Sequence, residues 1–559
     1  MVFMKYLNQY GEIFIALAGI AALIIAFFTA RNEKNKISKP EQWVERYQYY
    51  IAGALILIGV LLRFYRLGSL PAGLNQDEAS MGYDAFALAN YGVDRNGYHF
   101  PVYPVAWGAG HGPLYVYFSS IFIKLFGLSV FSYRFGMALL GGGTLVLFFF
   151  LLKRLSSAKA ALTGLFLLAI SPWHILLSRW GLDSNPVPFF VLLAVFLYVL
   201  AIEKQKARYF AFAGAAFSLS LYCYANTYFA VPIMLLIAGI YAIIHKKINL
   251  KCALSALGAM IIVALPLGIF WVINVFDLPE IATRFISFPK MTALRSQSAL
   301  IAFDSHFWEN FVHNCREYLP YLYRQKESYL YNAVPQFGTL YLFASPLLIF
   351  GLIEIIMRYI KQRGKYQRDI IMVAWLAGAM VVTLLYTILN VNRLSILFIP
   401  MIYLCLRGII LIYHSIKPAA GVILLIFVLG FSQFCVYYFG GTYEQQFGNY
   451  FYDSFEEAVE FSQGIPADKV YVTNEVSGSY LELLFFLKED PHVFHDSVEY
   501  INDKVEFRKA ISYGKYQFGI PSKKQDNAVY IVDNASELPE FRNGQFQIKQ
   551  FRYYSVVWK

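Results

Sequence analysis

Charge is scarce in this chain: 15% of its 559 residues are Asp, Glu, Lys or Arg, against roughly 25% in an ordinary soluble domain. With 58% hydrophobic residues and a mean hydropathy of +0.48, that scarcity excludes a water-soluble fold and implies a polytopic membrane protein. Cysteine is also sparse. Four of the five (Cys223, Cys252, Cys405 and Cys435) lie in or beside apolar runs and Cys315 stands alone in a polar loop, so neither a disulfide framework nor a thiolate metal cluster is implied. Acids inside the apolar runs are nearly absent, which disfavours ion-coupled transport, a process that places ionisable groups near the bilayer midplane. The net charge of +11 sits in short clusters between apolar runs, so it reads as an orientation signal and not as a nucleic-acid surface.

A span of the roughly 30 Å hydrocarbon core needs about 20 apolar residues. Twelve candidates fit, near 12–30, 50–66, 133–152, 158–176, 187–203, 209–224, 229–245, 253–275, 339–357, 371–389, 395–413 and 419–438. The first has one leading lysine, Lys5, and is followed by "RNEKNK", so it reads as a retained anchor with its N-terminus outside. The cationic connections beginning at Arg31, Lys153, Glu203, His245 and Arg358 follow every second span, as the positive-inside rule requires. A thirteenth apolar segment, Gly112 to Gly127, is short and carries Lys124. If it crossed the membrane, every later basic loop would move outside, so parity assigns it to the interface. Residues 1–49 then form an anchor and linker, 50–438 the membrane domain, and 439–559 an outward-facing α/β domain. In that last part, "KVYVT", "AVYIVD" and "YYSVVW" read as strands, and Ser454 with Glu457 reads as a capping box.

The outer connections carry polar groups out of proportion to their length. "GLNQDEASMGYDAFAL" from Gly73 places Asp77 and Glu78 at the head of a helix, where acids cap free N–H groups and where an interfacial carboxylate can also act as general base. Further along stand Asp84, Asp94 and His111, then Arg179 and Asp183 in "SRWGLDSNP", and Arg393 in "NVNRL". His111 is read either as a loop histidine or as a ligand for metal or phosphate. The two arginines either snorkel at helix ends or bind a phosphate. "GGG" at Gly141 to Gly143 lacks the lysine of a phosphate loop and reads as close helix packing.

The order of "GLNQDEASMGYDAFAL", "GVDRNGYHFPVY", "HGPLYVYFSSIFIKLFGLSVFSYRFGMAL", "ISPWHILLSRWGLDSN" and "LSLYCYANTYFAVP" resembles the C-type (GT-C) membrane glycosyltransferases. More narrowly it is similar to glycosyltransferase family 39, which holds protein O-mannosyltransferases and lipid A aminoarabinose transferases. The resemblance spans roughly 51–412. It implies an inverting transfer of sugar from a polyprenyl-phosphate donor to a hydroxyl of a lipid, glycan or protein acceptor, on the extracytoplasmic face of what is expected to be a bacterial plasma membrane. By the same resemblance Asp77 is the base, Glu78 assists it or holds a metal, and Asp183 is the acid of the second outer loop; His111, read from its place beside Glu78, is the further candidate ligand for a divalent metal. Two departures stand out: Ser80 replaces an arginine of the lipid A branch, and His111 replaces its lysine. Arg393, with His111 or Arg179, is expected to meet the donor phosphate instead. The competing function is a transporter or flippase of a lipid-linked glycan.

Overall fold

The structure is a computed structural model that describes residues 39–106, 110–292, 300–301, 304–325, 327, 332–501, 508–542 and 544–559. The expected span at 12–30 and the connection from Arg31 lie outside these residues. The described helices are α1 (Lys39–Phe64), α2 (Gln76–Tyr91), α3 (Pro113–Phe126), α4 (Val130–Leu155), α5 (Ala158–Ala169), α6 (Pro172–Leu177), α7 (Val187–Lys204), α8 (Ala207–Ser220), α9 (Thr227–Ile244) and α10 (Leu250–Val275). They continue with α11 (Phe307–Arg324), α12 (Ser345–Lys361), α13 (Ile370–Leu385), α14 (Phe398–Ser415) and α15 (Lys417–Phe439). Four shorter helices follow: α16 (Thr442–Phe447), α17 (Phe455–Ser462), α18 (Ser479–Leu487) and α19 (Pro491–Ser497).

Eight described helices are long and apolar enough to cross a membrane: α1, α4, α7, α9, α10, α12, α14 and α15, the helix around α12 being counted from Leu342. The expected spans at 158–176, 209–224 and 371–389 instead form helices of 12, 14 and 16 residues, namely α5, α8 and α13. At 1.5 Å per residue these reach about 18–24 Å, short of a full hydrocarbon core. The cause in the first case is local: the helix stops at Ala169, and Ser171 caps a new short helix with Pro172 in its first turn. Helix α3 has 14 residues, equally short of a crossing.

Side-chain contacts sort the connections into two ends of the bundle. Arg154 pairs with Glu203, Arg368 reaches the same carboxylate, Gln205 donates to Lys247 O, and Tyr241 donates to Lys365 O. The cationic connections after α4, α7, α9 and α12 therefore meet at one end. At the other, Gly181 N–H donates to Glu78, Gly112 N–H to Asp183, and Asn226 Nδ2 to Arg393 O. This is the partition that charge parity implies. Between the two ends the "GGG" of α4 sits in close helix packing: a Cβ on Gly141 would overlap Ser178, and one on Gly143 would press on the Phe189 ring.

The C-terminal region is built on a seven-stranded sheet in the order β4-β5-β6-β3-β7-β9-β8. Its strands are β3 (Lys469–Val472), β4 (Glu499–Tyr500), β5 (Ala510–Tyr513), β6 (Tyr516–Phe518), β7 (Ala528–Asp533), β8 (Gln547–Gln550) and β9 (Tyr554–Trp558). β3 runs parallel to both β6 and β7, and the outer pairs are antiparallel. A two-stranded ribbon, β1 (Ile281–Ala282) and β2 (Ser287–Phe288), lies in the connection after α10. The capping box read at Ser454 does not form: Ser454 has φ of 69° and its hydroxyl accepts from Tyr553 N–H at 2.9 Å. A residue in that left-handed conformation cannot turn its side chain back onto the helix start. Helix α18 packs on α2, and Tyr83 Oη donates to Glu489 O at 2.8 Å, so the C-terminal region bears directly on the helix that carries the paired acids.

Candidate functional site

The site grows from the start of α2. Asn75 is the N-cap, its side chain accepting the Asp77 N–H at 3.0 Å, and the Glu78 carboxylate accepts back from Asn75 N–H at 3.4 Å. Together they form a capping box. The cap is thus Asn75, with Asp77 one turn-position short of Glu78, and not either acid of the expected pair.

Glu78 is fully buried and saturated. Arg134 Nε donates to Oε1 at 2.9 Å and Nη2 to Oε2 at 2.6 Å, while Gly181 N–H donates to Oε1 at 2.9 Å. The remaining reach of Arg134 goes to Pro71 O at 2.7 Å and Gly73 O at 2.9 Å. A bidentate pair in a dry setting holds only when the remaining lone pairs and protons are also matched, and here they are. Gly73 itself has φ of 78° and lies so close to the Phe451 carbonyl that no Cβ fits. Glu78 therefore ties the loop before α2 to the start of α4 and to the turn at Gly181.

Asp77 is half-buried beside this anchor. Its charge is felt at Tyr133, as are those of Glu78 and Asp183, so the three acids lie at the same end of the bundle. Asp183, also half-buried, accepts the Gly112 N–H at 3.1 Å. Gly112 is pressed against the Cys223 carbonyl, where a side chain has no room, which fixes the loop that carries that N–H. Asp183 and Arg393 both act on Tyr386, and the Arg393 guanidinium stacks 5.3 Å from that ring while donating to Ile388 O at 2.6 Å. Asp77, Glu78, Asp183 and Arg393 are thereby gathered at one end of the bundle.

Arg179 and His111 are committed to other partners. Arg179 is fully buried, and its five N–H donors go to Leu62 O, Arg63 O, Tyr65 O, Leu70 O and Tyr438 Oη. It closes the open carbonyls at the end of α1, which leaves nothing to offer a phosphate. His111 is buried with Nε2 3.7 Å from Asp84 Oδ2, and Arg95 Nη1 meets the same carboxylate at 3.4 Å. Burial pushes the Asp84 carboxyl up to about 7 against the pull of Arg95, and that of Asp94 up to about 6 against the N–H groups of Tyr98 and Asn96. Glu78 and His111, read from the sequence as possible metal ligands, thus have Arg134 and Asp84 as partners. Among the described residues no group of three His, Cys, Asp or Glu side chains is placed to hold a metal ion.

The sequence reading missed Arg134, although its signal was present: a charged residue in the first turns of an apolar span demands a partner. It missed the Asp84–Arg95 pair because the two come together only when the chain folds back after α2.

These features sit in a known setting. The chain superposes on the crystal structure of ArnT from Cupriavidus metallidurans bound to undecaprenyl phosphate with a TM-score of 0.52 and 11% identity, over 92% of this chain and 98% of that one. The apo form of the same protein gives 0.51 and 12%, over 93% and 98%. The fold is therefore the one those two structures share, and the resemblance read from the sequence has its counterpart there. More particularly, residues 110–271 match the family model described as dolichyl-phosphate-mannose-protein mannosyltransferase. That segment contains His111, Arg134, Arg179 and Asp183. No curated protein matches the chain by sequence.

Proposed function

We propose that this protein is a membrane glycosyltransferase that moves a sugar from a polyprenyl-phosphate donor to a hydroxyl acceptor at the extracytoplasmic face. The observation that carries the reading is the contrast between neighbours. Glu78 is consumed by Arg134 and Gly181, which fixes the head of α2, while half-buried Asp77 stands on that fixed helix start with Asp183 at the same end of the bundle. A carboxylate held rigid, near water and at the loop end of the bundle is what general-base catalysis at headgroup depth requires. The GT-C fold supports the same reading.

In the proposed step the acceptor oxygen attacks the anomeric carbon and its proton passes to Asp77. The bond from that carbon to the phosphate oxygen breaks, and its electron pair leaves with the phosphate. Charge grows on that oxygen, where Arg393, the expected arginine that is not spent on α1 carbonyls, stabilises the transition state more than the ground state. In-line attack inverts the anomeric centre. Asp183, positioned by Gly112, is assigned to the sugar hydroxyls. Glu78, spent on Arg134 and Gly181, and His111, whose Nε2 faces Asp84 at 3.7 Å, do not fit a divalent ion between them, and no step passes through one. On this reading residues 50–438 form the catalytic membrane unit and 439–559 an outer unit leaning on α2.

Purified protein in liposomes with a labelled polyprenyl-phosphate sugar and an acceptor tests the proposal against the flippase alternative. Transfer yields a new glycoside and free polyprenyl phosphate. Chemically unchanged label appearing on the opposite leaflet would establish transport instead.

A further inference from the structure

A cavity of about 350 Å³ opens between the loop after α2, the connection after β2 and the C-terminal region, and the proposed transfer does not use it. Arg95, Lys290 and Arg508 line it together with Asn96, Tyr98 and Tyr500, and none of its lining side chains among the described residues is a carboxylate. Arg95 is almost fully buried. Its Nη1 donates to Ser80 O at 3.1 Å and faces Asp84 at 3.4 Å, but its Nη2, buried as well, has no hydrogen-bond partner among the described residues. A buried charged donor without an acceptor is costly, and an anionic ligand would satisfy it. Arg508 reaches across from the C-terminal region, donating to Asn96 Oδ1 at 3.1 Å with its guanidinium 4.9 Å from the Tyr500 ring. At the rim Lys290 pairs with Asp277 at 2.8 Å, and Tyr98 Oη donates to Glu280 at 2.7 Å.

We propose that this cavity binds a carboxylate- or phosphate-bearing sugar unit of a glycan acceptor. Guanidinium forks recognise carboxylate and phosphate alike, and the tyrosines Tyr98 and Tyr500 in the lining supply aromatic surface of the kind that packs against sugars. The volume falls at the lower end of the small-ligand range of roughly 300–1,000 Å³. A lipid chain is a poor fit, since Val105 and Val498 are the aliphatic side chains among those lining the cavity. A chain of contacts links the cavity wall to the proposed centre: Arg95 faces Asp84, Asp84 faces His111, and the next residue, Gly112, donates to Asp183. The use made of the bound glycan rests on the transferase reading, whereas the binding itself does not.

The test is equilibrium binding of trigalacturonate and of neutral galactotriose to the purified full-length protein. The acidic trisaccharide should bind at least about tenfold tighter, with an affinity that falls as salt rises. Arg508→Ala and Lys290→Ala at the rim, and Arg95→Gln inside, should each weaken it about tenfold, while Asp77→Asn should bind as the parent does. Equal affinity for the two sugars, or rim variants that bind acid normally, would overturn the proposal. So would equal dependence on Arg508 for inorganic phosphate without trisaccharide binding, or for vesicles of anionic phospholipid in its place. Acid-selective binding in a protein that transfers no sugar would overturn the transferase reading and leave the cavity assignment standing.

Discussion

Arg134 grips Glu78 through two hydrogen bonds of 2.9 and 2.6 Å, with both side chains fully buried. The pair orients the head of α2 and does not react. Replacing Arg134 by Met leaves the Glu78 charge buried alone, a loss of about 3–5 kcal/mol, so thermal unfolding in detergent should shift down by many degrees. Arg134→Lys should fail to restore the parent stability, because an ammonium cannot supply the fork. Unchanged melting in both variants would remove the anchor from the account.

Two arginines of the outer end should separate by assay. Arg179→Ala abandons four carbonyls at the end of α1 and in the turn after it and is expected to cost more than about 2 kcal/mol, with the donor KM unchanged in the protein that folds. Arg393→Ala should do the reverse, raising the donor KM or lowering kcat about tenfold or more with little change in melting temperature. Steady-state kinetics beside thermal melts decides between them.

Stability should fall with rising pH through the titration of Asp84. Its carboxyl ordinarily ionises near 3.8 and is held up to about 7 in the folded protein. Between those values the native state keeps a proton that the unfolded chain has released, so the stabilisation is complete below pH 4 and lost as pH climbs toward 7. Asp94, raised to about 6, adds to the same slope. Asp84→Asn should flatten the dependence of melting temperature on pH across this window. An identical slope in the variant would assign it to other groups.

The apolar runs made the bundle legible, because hydropathy reports what must leave water. The cationic connections that charge parity groups do meet, since Glu203 gathers Arg154 from the end of α4 and Arg368 from the connection after α12. Helix ends were harder. Asn75 won the cap over Asp77 by one hydrogen bond that spacing alone does not select, and the break at Ser171 shortened a span whose composition stays apolar. Long-range pairs were illegible in principle: Arg134 lies 56 residues from Glu78, and Arg179 lies 117 from Leu62. Before folding, Arg179 and Arg393 are equivalent cations at helix ends; only the carbonyls of α1 distinguish them. In the C-terminal region β3, β7 and β9 showed through their continuous apolar, β-branched runs, whereas β4, β5, β6 and β8, with fewer β-branched residues, did not.

Single-turnover transfer from a labelled polyprenyl-phosphate sugar by Asp77→Asn is the most direct trial of the central claim. Asn75 keeps the cap and Glu78 keeps Arg134, so the variant should insert, and should melt within about 2–4 °C of the parent, since a first-turn charge is worth about 0.3–1 kcal/mol. Its transfer rate should drop by about 10²-fold or more. Transfer at the parental rate in that well-folded variant would contradict the assignment of Asp77 as the base.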